Sequence, residues 1–127
     1  MEEIILELPF PPSVNTYWRH VGNKTLISEK GRKYASEVAW LVRRSRRFPA
    51  NKKAKIVIEV YPPDKRKRDV DNLLKAPLDA LVKAGVLVDD GIIDDLHIIR
   101  FPSIKGGKLV VYISELKICC STISNKS

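Results

Sequence analysis

The sequence predicts an α+β fold, in which a four-stranded mixed sheet carries two helices on one face. Residues 55–61 (KIVIEVY) alternate apolar and polar side chains with many β-branched residues, which is typical of a strand. Apolar residues recur at helical spacing within 28–47 and 74–82. Weaker strand patterns at residues 4–9, 92–101 and 108–116 complete the order β-α-β-α-β-β.

The segment after the first strand is extended, because prolines crowd residues 9–12. Residues 15–20 (NTYWRH) then form a polar and aromatic cluster that we expect in a loop. Aromatic and arginine side chains together suit a surface that stacks on bases and binds phosphate. For Trp18 itself, a place in the core is the stronger expectation.

Ser28 followed by Glu29 marks the start of the first helix, which we expect to reach about Arg47. Its apolar stripe is Tyr34, Val38, Leu41 and Val42. Four arginines follow (Arg43, Arg44, Arg46 and Arg47), where positive charge is favourable against the helix dipole. Helix capping and DNA contact are both open for them.

The second helix follows Asp71, a suitable N-cap, and its stripe ends before Gly85, which suits a left-handed C-terminus. Lys75 lies one turn beyond Asp71 on the same face. Pro77 falls inside the helical pattern, where we expect it to kink the helix.

The last two strands are predicted to form an antiparallel hairpin turned at Gly106 and Gly107, with Lys105 at its tip. A single domain is expected over residues 1–116. Residues 117–127 are polar, and we expect a flexible tail. Cys119 and Cys120 are adjacent, so neither a disulfide between them nor a zinc site is favoured.

Charge favours a polyanionic partner, since the formal net charge is +8 over 127 residues and the excess is concentrated in residues 43–68. The chain opens without a positively charged signal region, and no apolar run approaches the roughly 20 residues of a membrane span. A cytoplasmic protein without a membrane partner is therefore expected.

Acidic pairs flank the second helix. Asp69 and Asp71 face the same way if the chain is extended there, and Asp89 with Asp90 follows the helix. Mg²⁺ prefers a few carboxylates plus substrate phosphate, so converging aspartates beside a basic run suit metal-assisted attack on a phosphodiester. Spacing alone leaves open that these aspartates are only caps and turn residues.

Three segments carry a resemblance to a known family: LPFPPSVNTYWRH, RDVDNLLKAPLDALVKAGVLVDD and FPSIKGGKL. Together they resemble the RusA-type Holliday junction resolvases over roughly residues 4–116. The resemblance implies an endodeoxyribonuclease of DNA recombination and repair, often carried by prophages. It also implies an α+β domain, a symmetric homodimer, Mg²⁺ (or Mn²⁺ in its place) and a four-way DNA junction as the substrate.

Carried over by position, the resemblance makes Asp69, Asp71 and Asp90 the catalytic metal-binding carboxylates, with Lys75 as the charged catalytic partner. Asp89 carries less weight, and Asp94 and Asp95 receive no metal role. The residues expected to contact DNA are Lys65, Arg66, Lys67, Arg68, Asn15, Arg19 and Lys105. Two alternatives remain: a basic nucleic-acid binder without catalysis, and a metal-dependent phosphatase of small nucleotides.

Overall fold

The structure is a computed structural model that describes residues 3–12, 18–21, 24–65 and 73–116. The strands are β1 (Ile4–Leu8), β2 (Trp18–Val21), β3 (Lys24–Ile27), β4 (Ala54–Tyr61), β5 (Ile93–Arg100) and β6 (Lys108–Glu115). The helices are α1 (Glu29–Leu41) and α2 (Lys75–Lys83), and a 3₁₀ turn, Asp90–Ile92, precedes β5.

The main sheet has the strand order β1-β6-β4-β5. β4 is parallel to β5, and α2 makes the crossover between them. On its other side β4 is antiparallel to β6, which is in turn antiparallel to β1. The predicted α+β class and four-stranded mixed sheet are therefore confirmed.

The core lies between this sheet and the two helices. β4 buries alternate residues, such as Ile56 and Ile58, against the helices. Tyr34 and Val38 supply the inner face of α1, and Leu81 that of α2. The alternation follows from the two-residue period of a strand, so one face is dry and the other is open.

The predicted hairpin of the last two strands is wrong. β4 lies between β5 and β6, so those two strands are not neighbours. The connection between them crosses the end of β4, where the Phe101 amide donates to Val60 O at 2.8 Å and the Ile104 amide to Pro62 O at 2.9 Å. Turn signals locate a chain reversal but do not say which strand each arm pairs with.

Two boundaries also differ from prediction. Residues 18–20 belong to β2, which pairs with β3 in a separate two-stranded sheet, whereas we expected a loop over 15–20. Residues 15–17 lie outside the described part of the chain. α1 ends at Leu41 rather than near Arg47, because the chain turns at residues 42–45 and the Ser45 amide donates to Val42 O at 2.8 Å.

The start of α2 corrects two further expectations. Its N-cap position is Leu74, three residues after the predicted Asp71. Pro77 is the third residue of α2, within the first turn, where backbone amides have no intrahelical acceptor and a proline costs no hydrogen bond. No kink is therefore needed. Asp71 itself lies outside the described residues, as do residues 117–127, where we expected a flexible tail.

The sheet has two ends, which we call the Ala54 end and the Tyr61 end after the limits of β4. Residues 42–53 connect the end of α1 to Ala54, and the Phe48 amide donates to Val86 O just beyond α2 at 2.8 Å. Near the start of α1, the Tyr34 hydroxyl donates to Pro9 O, beyond β1, at 2.9 Å. Both helices therefore finish at the Ala54 end.

Candidate active site

Lys75 is the first residue of α2, and its side chain is exposed. The preceding residue, Leu74, occupies the N-cap position. Its backbone is already helical, and its side chain makes no capping hydrogen bond. The next two residues of the helix, Ala76 and Pro77, are buried. The first turn of α2 is therefore packed in the core, and the exposed Lys75 side chain extends from a fixed backbone position.

Asp89 and Asp90 lie in the turn that begins β5. Asp89 Oδ1 accepts a hydrogen bond from the Gly91 amide at 3.2 Å, so this carboxylate shapes the turn. Asp90 opens the 3₁₀ turn, and Ile93, directly after that turn, pairs with Ala54. The backbone of Asp90 therefore lies at the Ala54 end. This arrangement gives Asp89 a structural role.

Lys75 and Asp90 are separated along the chain by α2. Lys75 begins α2, whereas Asp90 follows the far end of that helix. Nine residues of helix extend about 13.5 Å at 1.5 Å per residue, and the chain continues beyond it before reaching Asp90. Asp69 and Asp71, the other two predicted ligands, lie outside the described residues.

Asp94 and Asp95 each contact a different side chain. Asp94 lies 3.9 Å from Lys53 Nζ, and Asp95 lies 2.9 Å from His97 Nε2. In the described part of the chain no three His, Cys, Asp or Glu residues are grouped closely enough to hold a metal ion.

Of the residues expected to contact DNA, Lys65 and Lys105 are described, and both are exposed. Gly107 has a φ of +65°, and a Cβ there would lie 2.9 Å from Pro63 Cδ. That close approach fixes the loop of Lys105 beside the segment that leads to Lys65, so both lysines lie at the Tyr61 end. Arg19 belongs to β2, and Arg66, Lys67, Arg68 and Asn15 lie outside the described residues.

The open face of the sheet holds a cluster that the sequence analysis did not predict. Tyr61 and Tyr112 each donate a hydroxyl hydrogen bond to Glu59 Oε1 at 3.1 Å. This hydrogen bond, followed by burial, raises the pKa of Tyr112. Burial, then the bond to Glu59, raises the pKa of Tyr61. The alternation of KIVIEVY places Glu59 and Tyr61 on one face, but no local signal brings Tyr112 opposite.

A second unpredicted feature lies at the end of α1. The Arg43 guanidinium stacks 3.8 Å from the centroid of the Trp40 ring. In the sequence, Trp40 does not fall on the apolar stripe of the helix. A side chain off that stripe is expected to face solvent, so the exposure of Trp40 could have been predicted.

The described helices include none that is long and apolar enough to cross a membrane.

Comparison with known proteins gives the class of this fold and site. Residues 9–114 match the family described as Endodeoxyribonuclease RusA. This match spans most of the chain and includes the acidic pairs and Lys75, so the chain belongs to the RusA family of endodeoxyribonucleases and is a nuclease. Family membership also implies a requirement for a divalent metal ion.

Individual relatives are similar over nearly their whole lengths. The crossover junction endodeoxyribonuclease rusA of Enterobacteria phage HK97 is 42% identical over 120 residues, covering 92% of this chain and 98% of the relative. That of Enterobacteria phage 82 is 42% identical over 112 residues, or 87% and 93%. The Escherichia coli K12 protein of the same name is 39% identical over 117 residues, or 91% and 98%.

Proposed function

We propose that this chain is a Mg²⁺-dependent resolvase of four-way DNA junctions that acts as a homodimer in the cytoplasm. The observation that carries the proposal is the family match over residues 9–114, which includes the whole stretch from the basic run to Asp90. The relatives named above are crossover junction endodeoxyribonucleases, which supports the junction as the substrate. This chain would separate recombining duplexes during DNA recombination and repair.

The metal is assigned to Asp69, Asp71 and Asp90. Carboxylates are the donors that Mg²⁺ prefers, and the engagement of Asp89 in its own turn leaves Asp90 as the member of the pair for a metal. When bound, Mg²⁺ lowers the pKa of a coordinated water and neutralises charge on the leaving oxygen; Mn²⁺ would serve in its place. The three side chains would hold the ion at the site of hydrolysis.

Lys75 stabilises the negative charge that develops on the phosphate during hydrolysis. Lys75 is exposed at the start of α2, and α2 anchors its backbone in the core, so the ammonium extends from a fixed position. A fixed positive charge aimed at a transition state contributes more than a mobile one, because no reorganisation accompanies the reaction.

A homodimer would allow a shared site, because Lys75 and Asp90 lie on opposite sides of α2 along the chain. If both residues act on one phosphate, two copies of the chain meet this condition by placing Asp90 of one copy beside Lys75 of the other. A two-fold pair of such sites also suits the substrate, since a four-way junction must be nicked in two symmetric strands.

DNA is held by the basic run, Lys65, Arg66, Lys67 and Arg68, of which Lys65 lies at the Tyr61 end. Lys105 lies beside the start of this run, as the contact of Gly107 with Pro63 requires. Asn15 and Arg19 belong to the same proposed DNA-contacting set. Phosphate contacts of this kind supply affinity without sequence preference.

The first prediction concerns the metal ligands. Replacing Asp69, Asp71 or Asp90 by Asn keeps the side-chain shape and removes one ligand charge. We expect Mg²⁺-dependent cutting of a synthetic four-way junction to be lost, while junction binding persists or strengthens as repulsion of phosphate falls. Gel analysis of nicked strands and of bound DNA measures both properties.

Asp94→Asn is the matched control, because Asp94 is an aspartate of β5 that is paired with Lys53. It should cut at the wild-type rate. Normal cutting by all three ligand variants would exclude the assigned carboxylates. Binding without cutting by the wild-type chain would favour a non-catalytic DNA binder, and hydrolysis of nucleotides alone would favour a phosphatase.

The second prediction tests whether a site is shared between two copies. Lys75→Ala and Asp90→Asn should each cut at least about a hundredfold more slowly than wild type, as expected for loss of one fixed electrostatic group. When the two variant chains are mixed and allowed to exchange, each mixed dimer contains one site with both residues intact. Nicking of one strand should therefore return.

The matched control is a mixture of Lys75→Ala with Lys75→Ala/Asp90→Asn, in which every site lacks Lys75. It should remain inactive. If the first mixture is also inactive although light scattering shows exchanged dimers, each site is built within a single chain.

A further inference from the structure

The connection between α1 and β4 carries a dense positive charge. Residues 42–53 contain six Lys or Arg residues and no Asp or Glu. Two of the lysines are paired with carboxylates of other strands, Lys52 with Glu115 at 3.3 Å and Lys53 with Asp94 at 3.9 Å. Four exposed arginines cluster instead in the turn after α1: Arg43, Arg44, Arg46 and Arg47. A polyanion is the partner that such a cluster favours.

An exposed aromatic ring adjoins these arginines. Trp40 is 64% exposed and the neighbouring Leu41 is 50% exposed, although both belong to α1. Arg43 Nη1 donates to Trp40 O at 2.6 Å, and its guanidinium carbon lies 3.8 Å from the Trp40 ring centroid. These two contacts hold the guanidinium over the indole ring. We call Trp40 with the four arginines the arginine surface.

The chemistry of this pair suits a nucleic acid in particular. Every base has a π face that stacks on an aromatic side chain, and a planar guanidinium can extend such a stack. The edge of the guanidinium keeps N–H groups for phosphate oxygens. Since Arg43 is already held against Trp40, little side-chain freedom is lost when DNA binds.

The turn that carries the arginine surface contacts the segment that leads to Asp90. Phe48 is buried, and its amide donates to Val86 O at 2.8 Å, four residues before Asp90. The guanidinium of Arg47 lies beside Gly85, with Cζ 3.6 Å from the position of a Cβ on that glycine. The surface is therefore at the Ala54 end with Asp90, and away from Lys65 and Lys105.

We propose that the arginine surface is a second DNA-contacting surface, at which the arginines bind phosphates of the arm next to Asp90 and Trp40 stacks on an unpaired base at the branch point. The choice of branched DNA rests on the proposed function. Bases within a continuous duplex are stacked on both sides, whereas a branch point interrupts stacking and exposes base faces. Trp40 accordingly contributes to the preference for branched over linear DNA.

Three variants test the proposal: Trp40→Ala, the double variant Arg43→Ala/Arg44→Ala, and the control Lys33→Ala. Lys33 is an exposed cation on the same helix, one to two turns from its start. Binding to a four-way junction and to a linear duplex of the same sequence is measured in EDTA, which prevents cutting, over a series of salt concentrations.

We expect Trp40→Ala to weaken junction binding about tenfold, the effect of one lost base stack, and to leave duplex binding within about twofold. The arginine double variant should flatten the dependence of log affinity on log salt by roughly two units on both DNAs, about one for each lost phosphate contact. Lys33→Ala should change neither quantity.

Fluorescence reports on Trp40 directly. The chain contains only two tryptophans, so the difference in emission between wild type and Trp40→Phe isolates the emission of Trp40. The junction should quench this emission.

Unchanged affinities and salt slopes in all three variants would overturn the proposal. So would a change of molecular mass in light scattering with DNA binding retained, which would assign the surface to a protein contact. Thermal unfolding checks each fold, and Trp40→Leu and Arg44→Gln replace any variant that unfolds. Junction cutting by the wild-type chain in Mg²⁺ is measured in parallel. If the wild type does not cut, the proposed function alone is rejected. If the wild type cuts and the variants bind DNA as the wild type does, the arginine surface alone is rejected.

Discussion

The two faces of the main sheet are built on different principles, although a single strand, β4, contributes to both. Ile56 and Ile58 point to the helices and are fully buried, whereas Val57, Glu59 and Tyr61 alternate with them on the open face. The covered face is aliphatic. The open face is organised by directed contacts, with two tyrosine hydroxyls on one carboxylate.

This difference separates two sources of stability. Burial of aliphatic side chains removes apolar surface from water and requires only that volumes fit. The cluster around Glu59 depends instead on donors, acceptors and protonation states. The covered face should therefore respond to changes in side-chain volume, and the open face to pH.

The largest expected effect is a cavity on the covered face. Ile58→Ala should lower the free energy of unfolding by about 2–5 kcal/mol, because Ile58 is 1% exposed and its neighbours cannot fully fill the space. Urea unfolding followed by circular dichroism measures this loss. The matched control is Ile5→Ala, which removes the same atoms from a site on the open side that is 60% exposed. It should cost about 0.5 kcal/mol or less, and similar losses at both positions would remove the distinction between the faces.

A smaller effect is expected on the open face and only at high pH. The pKa of Tyr61 and Tyr112 is raised from 10.0, so folding favours their neutral forms. That contribution is complete below pH 10 and is lost as the pH rises through the raised values. Urea midpoints of the wild-type chain should thus fall above about pH 10.

Tyr61→Phe/Tyr112→Phe removes both titrating groups and should flatten this fall. Glu59→Gln keeps the tyrosines but removes the charge that helps to raise their pKa, so the fall should begin at lower pH. A double phenylalanine variant with the wild-type pH profile would show that other groups cause the alkaline loss.

Local pattern was sufficient to predict most elements of the fold. β4 follows from strict alternation, and α1 begins where Ser28 accepts a hydrogen bond from the Gly31 amide at 3.0 Å. The separation of β5 from β6 could not be predicted, because pairing depends on contacts far apart in sequence. The start of α2 was misplaced for a related reason, since its N-cap residue makes no side-chain hydrogen bond that a sequence pattern could signal.

The candidate site was predicted less completely. The types of its residues came from a resemblance to the RusA family, and the family match supports the overall class. Sequence placed a helix between Lys75 and Asp90, but it could not show that Asp90 lies at the Ala54 end, because that position depends on the pairing of Ile93 with Ala54. Trp40 and Arg43 are neighbours by helical spacing, but only the structure shows the stack between them.

The order of strands in the sheet also bears on when the protein can fold during its synthesis. β1 has β6 as its neighbour, and Ile4 pairs with Ile113. A ribosome that has made β1 must therefore reach Ile113 before that strand finds its partner. Contacts so distant in sequence slow folding and favour assembly after release. A chain truncated before β6 would lack the strand that joins β1 to β4, so incomplete synthesis would not release a folded nuclease onto DNA.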